Sequence, residues 1–293
     1  MMEFCRKSLL TARSHFYGWK KDYRVWLVFL MEGFLVVSKL SGITAYAVRT
    51  GTECTVFVLP MMFTDSTFAE GLWKILIYFG FILLVCNAPF RDGRIHYMVI
   101  RSGKAAWWGG SILYIAASAL IYLLFLALLG TLTVLPAGTL RRYWGSALYA
   151  LQASGMGNSV GQLPAENVMN TLVPAAAEWM TFGIAWLSLI GIGFLVYLVN
   201  DLSGGMMAGS IAAAVLVMLD PTVNWLAFSV YRKFWYYLSP VSWTSIEHWD
   251  ILAKNLPLNG RTVTLLSLII AAVLGGMTWF VNQKSEVIRE EQL

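Results

Sequence analysis

The sequence predicts an all-α integral membrane protein with six transmembrane helices and an N-terminal interfacial helix. Three observations carry this. The 293 residues are 58% hydrophobic and only 13% charged, against roughly 45–50% and 25% in a soluble domain. The mean hydropathy is +0.65, so the chain holds more apolar surface than a soluble core can bury under a polar skin. The apolar residues also gather into six runs near the roughly 20 residues that cross a hydrocarbon layer about 30 Å thick.

The first run is 25–46, opening "VWLVFLMEGFLVV", and the second is 71–88, "GLWKILIYFGFILLVCNA". Glu32 and Lys39 interrupt the first, and Lys74 sits near the start of the second. The third lies within 105–135, is uncharged, and exceeds one layer, which leaves room for tilt. The remaining runs are 176–199, 203–225 and 262–281. Residues 1–24 form a basic tail whose following apolar run ends without a small-residue cleavage site, so the first span is expected to be uncleaved. The chain thus divides into an N-tail (1–24), a six-span domain (25–281) and a C-tail (282–293).

Lys and Arg set the orientation. With the N-terminus inside, the inner segments hold Arg6, Lys7, Arg13, Lys20, Lys21 and Arg24 in the tail, then Arg91, Arg94, Arg101, Lys104, Lys284 and Arg289. Fewer cations, seven, fall in the outer loops at 47–70, 136–174 and 226–261. Residues 89–104 then form the cytoplasmic loop joining spans two and three. Pro89 disfavours helix at Ala88, Gly93 and Gly103 bracket "RIHYMVIRS", and Ile95, Met98 and Val99 have amphipathic-helix spacing. Trp107 and Trp108 mark the inner interface. In the outer loops, "CTVFVLPMMF" is too short to span, 136–174 starts with a short amphipathic stretch, and 226–261 is aromatic enough to pack on the membrane face or on itself.

Several chemistries are excluded or weak. The net charge of +5 is expected to serve topology rather than nucleic-acid binding. The Gly-Lys pair in "RSGKAA" lacks the Ser or Thr and the upstream Gly of a phosphate-binding loop, so the chain is expected to have no ATPase of its own. No HExxH or GxSxG occurs, and the acid–imidazole cluster "EHWD" at 247–250 is a weak metal signal, so no metal is expected. Cys5, Cys54 and Cys86 fall in separate regions and suggest no disulfide framework.

Ionisable groups in lipid are functional candidates because they cost several kcal/mol unless paired or wet. Glu32 and Lys39 lie seven apart on one helix face, about 10 Å along the axis, and are expected to face the bundle interior without touching. Glu178 and Asp220 lie near span ends, where solvation is cheap. Gly205 and Gly209 form GxxxG early in span five, a pattern that permits close helix packing in a bundle or a dimer.

The tail "RSHFYGWKKDYRVW", the six runs, the loop "NAPFRDGRIHYMVIRSGKAAWWGG" and the long aromatic segment before the last run together resemble a permease subunit of the ABC-2 type. That is the membrane half of a bacterial ABC exporter whose ATPase is a separate chain. The resemblance covers the whole chain and is topological. It implies an interfacial helix over about Phe4 to Asp22 and short re-entrant helices within 226–261. It also implies a coupling loop docking on the ATPase through Arg91, Asp92, Arg94, Ile95, His96, Tyr97, Met98, Arg101 and Lys104. Transmission of movement needs a rigid piece, so a short loop helix continuous with span three is expected. The implied partners are a separate ABC ATPase carrying ATP and Mg, a second permease chain in a homo- or heterodimer, and the lipid of a bacterial plasma membrane with both chain termini cytoplasmic. No cofactor is implied in this chain. The substrate class is amphipathic: a peptide, a lipid-like molecule or a drug. The outer loop at 136–174 departs from relatives, where it is often short. Two alternatives stay open: a membrane-bound immunity or sensing protein that binds a peptide without transport, and an ion-coupled secondary carrier. A carrier should show symmetric halves with broken helices at matching depth, and none is visible.

Overall fold

Among the described residues, a helix lies at each of the six apolar runs. The computed structural model describes residues 2–64, 68–90, 99, 101–155, 160–226, 232–252 and 256–284. Helix α1 is Met2–Trp19, and α2 is Tyr23–Thr50. After strand β1 (Cys54–Thr55) and the single turn α3 (Leu59–Met62) come α4 (Phe68–Val85) and α5 (Lys104–Val134). Strand β2 (Gly138–Thr139) and the short helices α6 (Ser146–Ser154) and α7 (Glu166–Thr171) precede α8 (Pro174–Ser203) and α9 (Ala208–Leu226). The short helix α10 (Arg232–Leu238) and two 3-10 turns, Ser242–Thr244 and Ile246–His248, lead to α11 (Gly260–Lys284).

Four of these helices, α2, α5, α8 and α11, are long and apolar enough to cross a membrane. Helices α4 and α9, of 18 and 19 residues, occupy the second and fifth runs. The chain is therefore a largely helical protein of membrane-spanning character. Its tiny parallel ladder, Cys54 to Gly138 and Thr55 to Thr139, was not anticipated.

Local chemistry explains the helix ends. Asp22 caps α2 by accepting from the Arg24 N–H, satisfying a donor that the helix leaves orphaned. Gly51, in the left-handed region at φ 64°, ends α2 by donating to the Ala47 and Val48 carbonyls. Pro174 opens α8, where its missing N–H costs nothing.

Helices α5 and α8 form the centre. Helix α2 packs on α5 and α4, while α8 contacts α5, α9 and α11, and α4 also packs against α9. The indole of Trp186 donates to the Ala116 carbonyl at 3.0 Å, tying α8 to α5. Gly193 lets Ile115 approach α8 closely, whereas Gly191 faces open space. The expected GxxxG seam is corrected in the same way. Gly205 lies in the turn before α9 with nothing but Ser203 Oγ near it, and only Gly209 meets α8. Spacing of four needs one continuous helix, and the helix begins after Gly205.

Helix α1 lies along the first half of α5. The docking depends on Gly109 and Gly110: a Cβ on Gly110 would sit 2.7 Å from Thr11 Cγ2 and 2.9 Å from the Ser8 carbonyl oxygen. Gly110→Leu is expected to lift α1, at about 1–3 kcal/mol for overpacking, and to speed tryptic cleavage at Arg13. Gly183→Leu, at a glycine with open space beside it, should leave that rate unchanged.

The opposite end, called here the far end, is closed by β1, α3, α6, α7 and the 3-10 turns. The aromatic segment before α11 packs on itself: Trp243 donates to the Tyr236 carbonyl at 3.1 Å and Trp249 to the Trp243 carbonyl at 3.0 Å. Both indoles are buried, as amphipathic rings with a satisfied N–H can be. Cys54, in β1, is buried there, and burial pushes its thiol up to about 12.

Candidate functional site

Of the residues expected to dock a partner, Arg91, Asp92, Arg94, Ile95, His96, Tyr97 and Met98 lie outside the described residues. Arg101 and Lys104 are described, and both are exposed. Arg101 and Ser102 are helical, but Gly103 breaks the chain before α5 at φ 83°. Residues 101–102 are therefore not continuous with α5, against the expectation of one continuous helix. Glycine reaches that backbone conformation at little steric cost.

The chain entering this loop is held from several sides. The Arg24 guanidinium donates to Asn87 Oδ1 at 2.9 Å and contacts Cys86 Sγ at 3.4 Å. It also grips the Asp22 carboxylate at 3.0 and 2.6 Å, which holds that carboxyl below its usual range. Asn200, at the end of α8 and 1% exposed, donates to the Cys86 and Ala88 carbonyls at 3.1 and 2.7 Å and accepts from the Gly209 N–H at 2.7 Å. Phe90 packs against His15 and Tyr114 with ring centroids 4.8 and 4.7 Å away. His15 also meets Trp107 at 4.9 Å, and its Nε2 is buried without a hydrogen-bond partner among the described residues. Loss of water pushes its imidazole down to about 4. Trp19 completes this aromatic box by donating to Tyr114 Oη at 2.6 Å.

A second cluster sits inside the far end. Lys74 of α4 and Asp220 of α9 form an ion pair at 2.9 Å, their side chains 0% and 1% exposed. Lys74 also donates to Ser245 Oγ at 2.8 Å, and that hydroxyl donates onward to the Phe63 carbonyl at 3.0 Å. Ser242 donates to the other Asp220 oxygen at 2.6 Å. Glu247 accepts from Thr64 at 2.9 Å, and Gln162 donates to the Thr64 carbonyl at 3.1 Å. Tyr78 donates to Ser188, which donates to the Pro240 carbonyl. The segment 239–248 is thus held between α4, α8 and α9 through hydroxyls and charges. Such groups are tolerated in an apolar interior only when paired.

This corrects two sequence expectations. Asp220 is not cheaply solvated at a span end, because the 239–248 segment covers it. Lys39 does not face the interior: it is exposed, with its ammonium 5.7 Å from the Trp73 ring. Its ammonium lies over a ring of α4, whereas Glu32 on the same face is fully buried beside Gly80 and Tyr122. Glu178 is half-buried and accepts from the Leu59 N–H at 2.9 Å, capping α3.

Sequence reasoning missed Lys74 as a partner, Asn200, Arg24 and Glu247. One signal was present: on the expected topology Lys74 in span two and Asp220 in span five fall toward the same outer end with opposite charge. Glu247 and His248 stand 3.8 Å apart, and Asp250 instead accepts from Asn259 at 2.7 Å. No group of three or more potential metal ligands occurs among the described residues. An open cleft of about 680 Å³ lies at the far ends of α2 and α5, where Glu53 accepts from Arg141 at 3.1 Å and from Tyr143.

Compared with family models, curated proteins and solved structures, the chain matches none.

Proposed function

We propose that the chain is the membrane permease subunit of an ATP-driven ABC-2-type exporter, working with a separate ATPase chain and a second permease chain. The observation that carries the reading is the stiff root of the 89–104 loop. Arg24, Asn200 and the aromatic box pin residues 86–90 to four helices, α1, α2, α5 and α8. A loop that only connected spans would not need this, whereas a loop that receives a mechanical push does. The tail helix on α5, the six long helices in sequence and the packed aromatic segment before α11 support the same reading. All six helices cross the membrane, with α1, the loop and both chain termini in the cytoplasm and the far end outside. ATP and Mg belong to the partner. Closure of the ATPase dimer moves the loops, the helices rock, and an amphipathic substrate leaves between permease halves.

Affinity purification of the detergent-solubilised chain is expected to recover a soluble P-loop ATPase. Charge reversal at Arg94 and Arg101 should cut that recovery at least about tenfold, the effect of roughly 1.4 kcal/mol, and stop export while membrane insertion persists. Unchanged recovery would remove the docking claim. The buried charges Glu32, Lys74 and Asp220 favour one second reading, an ion-coupled carrier, since intramembrane charges often mark ion pathways. Full transport by the chain alone, without a nucleotide hydrolase, would decide for it.

A further inference from the structure

We infer that Asn200 is the positioning residue through which movement of the 89–104 loop reaches the α8–α9 pair. The inference deepens the export reading and rests on it for its purpose. The loop has two junctions with unequal stiffness. At its later junction Gly103, in the left-handed region, separates the helical residues Arg101 and Ser102 from α5, so a push there can be absorbed by a swivel. At its earlier junction the Asn200 side chain spends its whole amide on the connection. Both carbonyls it holds, Cys86 and Ala88, belong to the chain entering the loop, and the N–H it accepts from, Gly209, opens α9. The chain entering the loop and the ends of α8 and α9 thus meet at one buried group.

Only an amide suits this place. It offers two donors and an acceptor on one short planar group, whereas aspartate could keep the Gly209 contact but not the donations. The partner position is equally constrained. A Cβ on Gly209 would lie 2.8 Å from Asn200 Oδ1 and against the Val196 carbonyl, so the close approach of α9 to Asn200 requires glycine. Between them the chain turns through Gly204 at φ 67°, with Leu202 to Met207 exposed. The Asn200–Gly209 bond ties the two helix ends across that exposed turn. A displacement of residues 86–88 therefore tilts α8 and α9 together. It reaches the far end at Asp220, which α9 carries and which holds the 239–248 segment through Ser242.

The test uses paired spin labels on the full chain in lipid nanodiscs, with Cys5 and Cys86 replaced by serine. One pair, at 83 and 207, spans the end of α4 that leads into the loop and the turn, both positions exposed; the other, at 202 and 211, spans α8 and α9. Both pairs are expected to give single narrow distances when Asn200 is present. Asn200→Asp should broaden the 83–207 distance and leave 202–211 narrow, and Asn200→Ala should broaden both. An unchanged 83–207 distance in Asn200→Asp overturns the inference. So does equal broadening of both pairs in Asn200→Asp, since that marks a merely structural role. If Asn200→Asp fails to fold, Gly209→Ala, which crowds the amide without altering it, should broaden 83–207, and no change there overturns the inference as well. Pull-down of the wild-type chain separates the two claims. Failure to recover an ATPase removes the export reading while the distances still decide the clamp.

Discussion

Lys74→Ala is expected to destabilise the protein by about 3–5 kcal/mol, the usual cost of stranding one partner of a buried ion pair. The carboxylate of Asp220 would keep its Ser242 bond but lose the ammonium 2.9 Å away, in a place with 1% exposure. Ser245 would lose its donor at the same time, and with it part of the bond set that seats the 239–248 segment. Asp220→Ala should cost about as much, because Lys74 would then be the stranded charge. Lys74→Met with Asp220→Leu removes both charges and should recover most of the loss, since replacing a buried pair by apolar groups is often neutral or stabilising. Lys39→Ala, at an exposed position, should stay within about 0.5 kcal/mol. Thermal unfolding of the detergent-solubilised variants measures all four, and Lys74→Met and Asp220→Leu made singly close the double-mutant cycle with the double mutant. A single mutant as stable as the wild type, or a double mutant no better than the singles, would refute the structural weight assigned to the pair.

Acidification is expected to loosen α1. The His15 imidazole is held down to about 4 by burial among Phe90, Trp107 and Tyr114, from an ordinary value near 6.5. Its folded form therefore binds its proton later than the unfolded form. The stabilisation is fully present above pH 6.5 and is lost progressively as pH falls towards 4, because the unfolded state gains the proton first. At about 1.4 kcal/mol per unit, the loss does not exceed about 3 kcal/mol. Asp22 acts in a separate window: its carboxyl is held down by Arg24, so its contribution is present above its ordinary value near 3.8 and vanishes only below that. Tryptophan emission from Trp19 and Trp107, followed from pH 7 to 4, should report the change. His15→Phe should flatten the profile, and an unaltered profile in that variant would assign the transition elsewhere.

The positions of the long helices were legible because lipid makes them so. Backbone groups in hydrocarbon must be satisfied within the segment, so each apolar run near the right length has one solution. The first run became Tyr23–Thr50, and the sixth became Gly260–Lys284. The aromatic segment before the last helix was legible as something that packs on itself, since Trp243 and Trp249 need partners for their N–H groups as well as apolar cover. The candidate site was much less legible. Asn200 looked like one polar residue at the end of an apolar run, and nothing local marks an amide as a three-way clamp. Glu32 and Lys39 share a face by periodicity, yet the neighbours differ along its length, so one is buried and the other projects over Trp73. Gly205 and Gly209 have helical spacing, but the helix starts between them.

The amino-acid sequence alone determined the membrane-spanning character and the places along the chain where the apolar helices fall, because both follow from local composition and spacing. Tertiary structure alone decided which charges meet, which glycine admits a neighbouring helix, and which end of the 89–104 loop is stiff. Those outcomes depend on side chains from distant segments arriving within about 3 Å of one another, the reach of a hydrogen bond, and no period along a single chain encodes such a meeting.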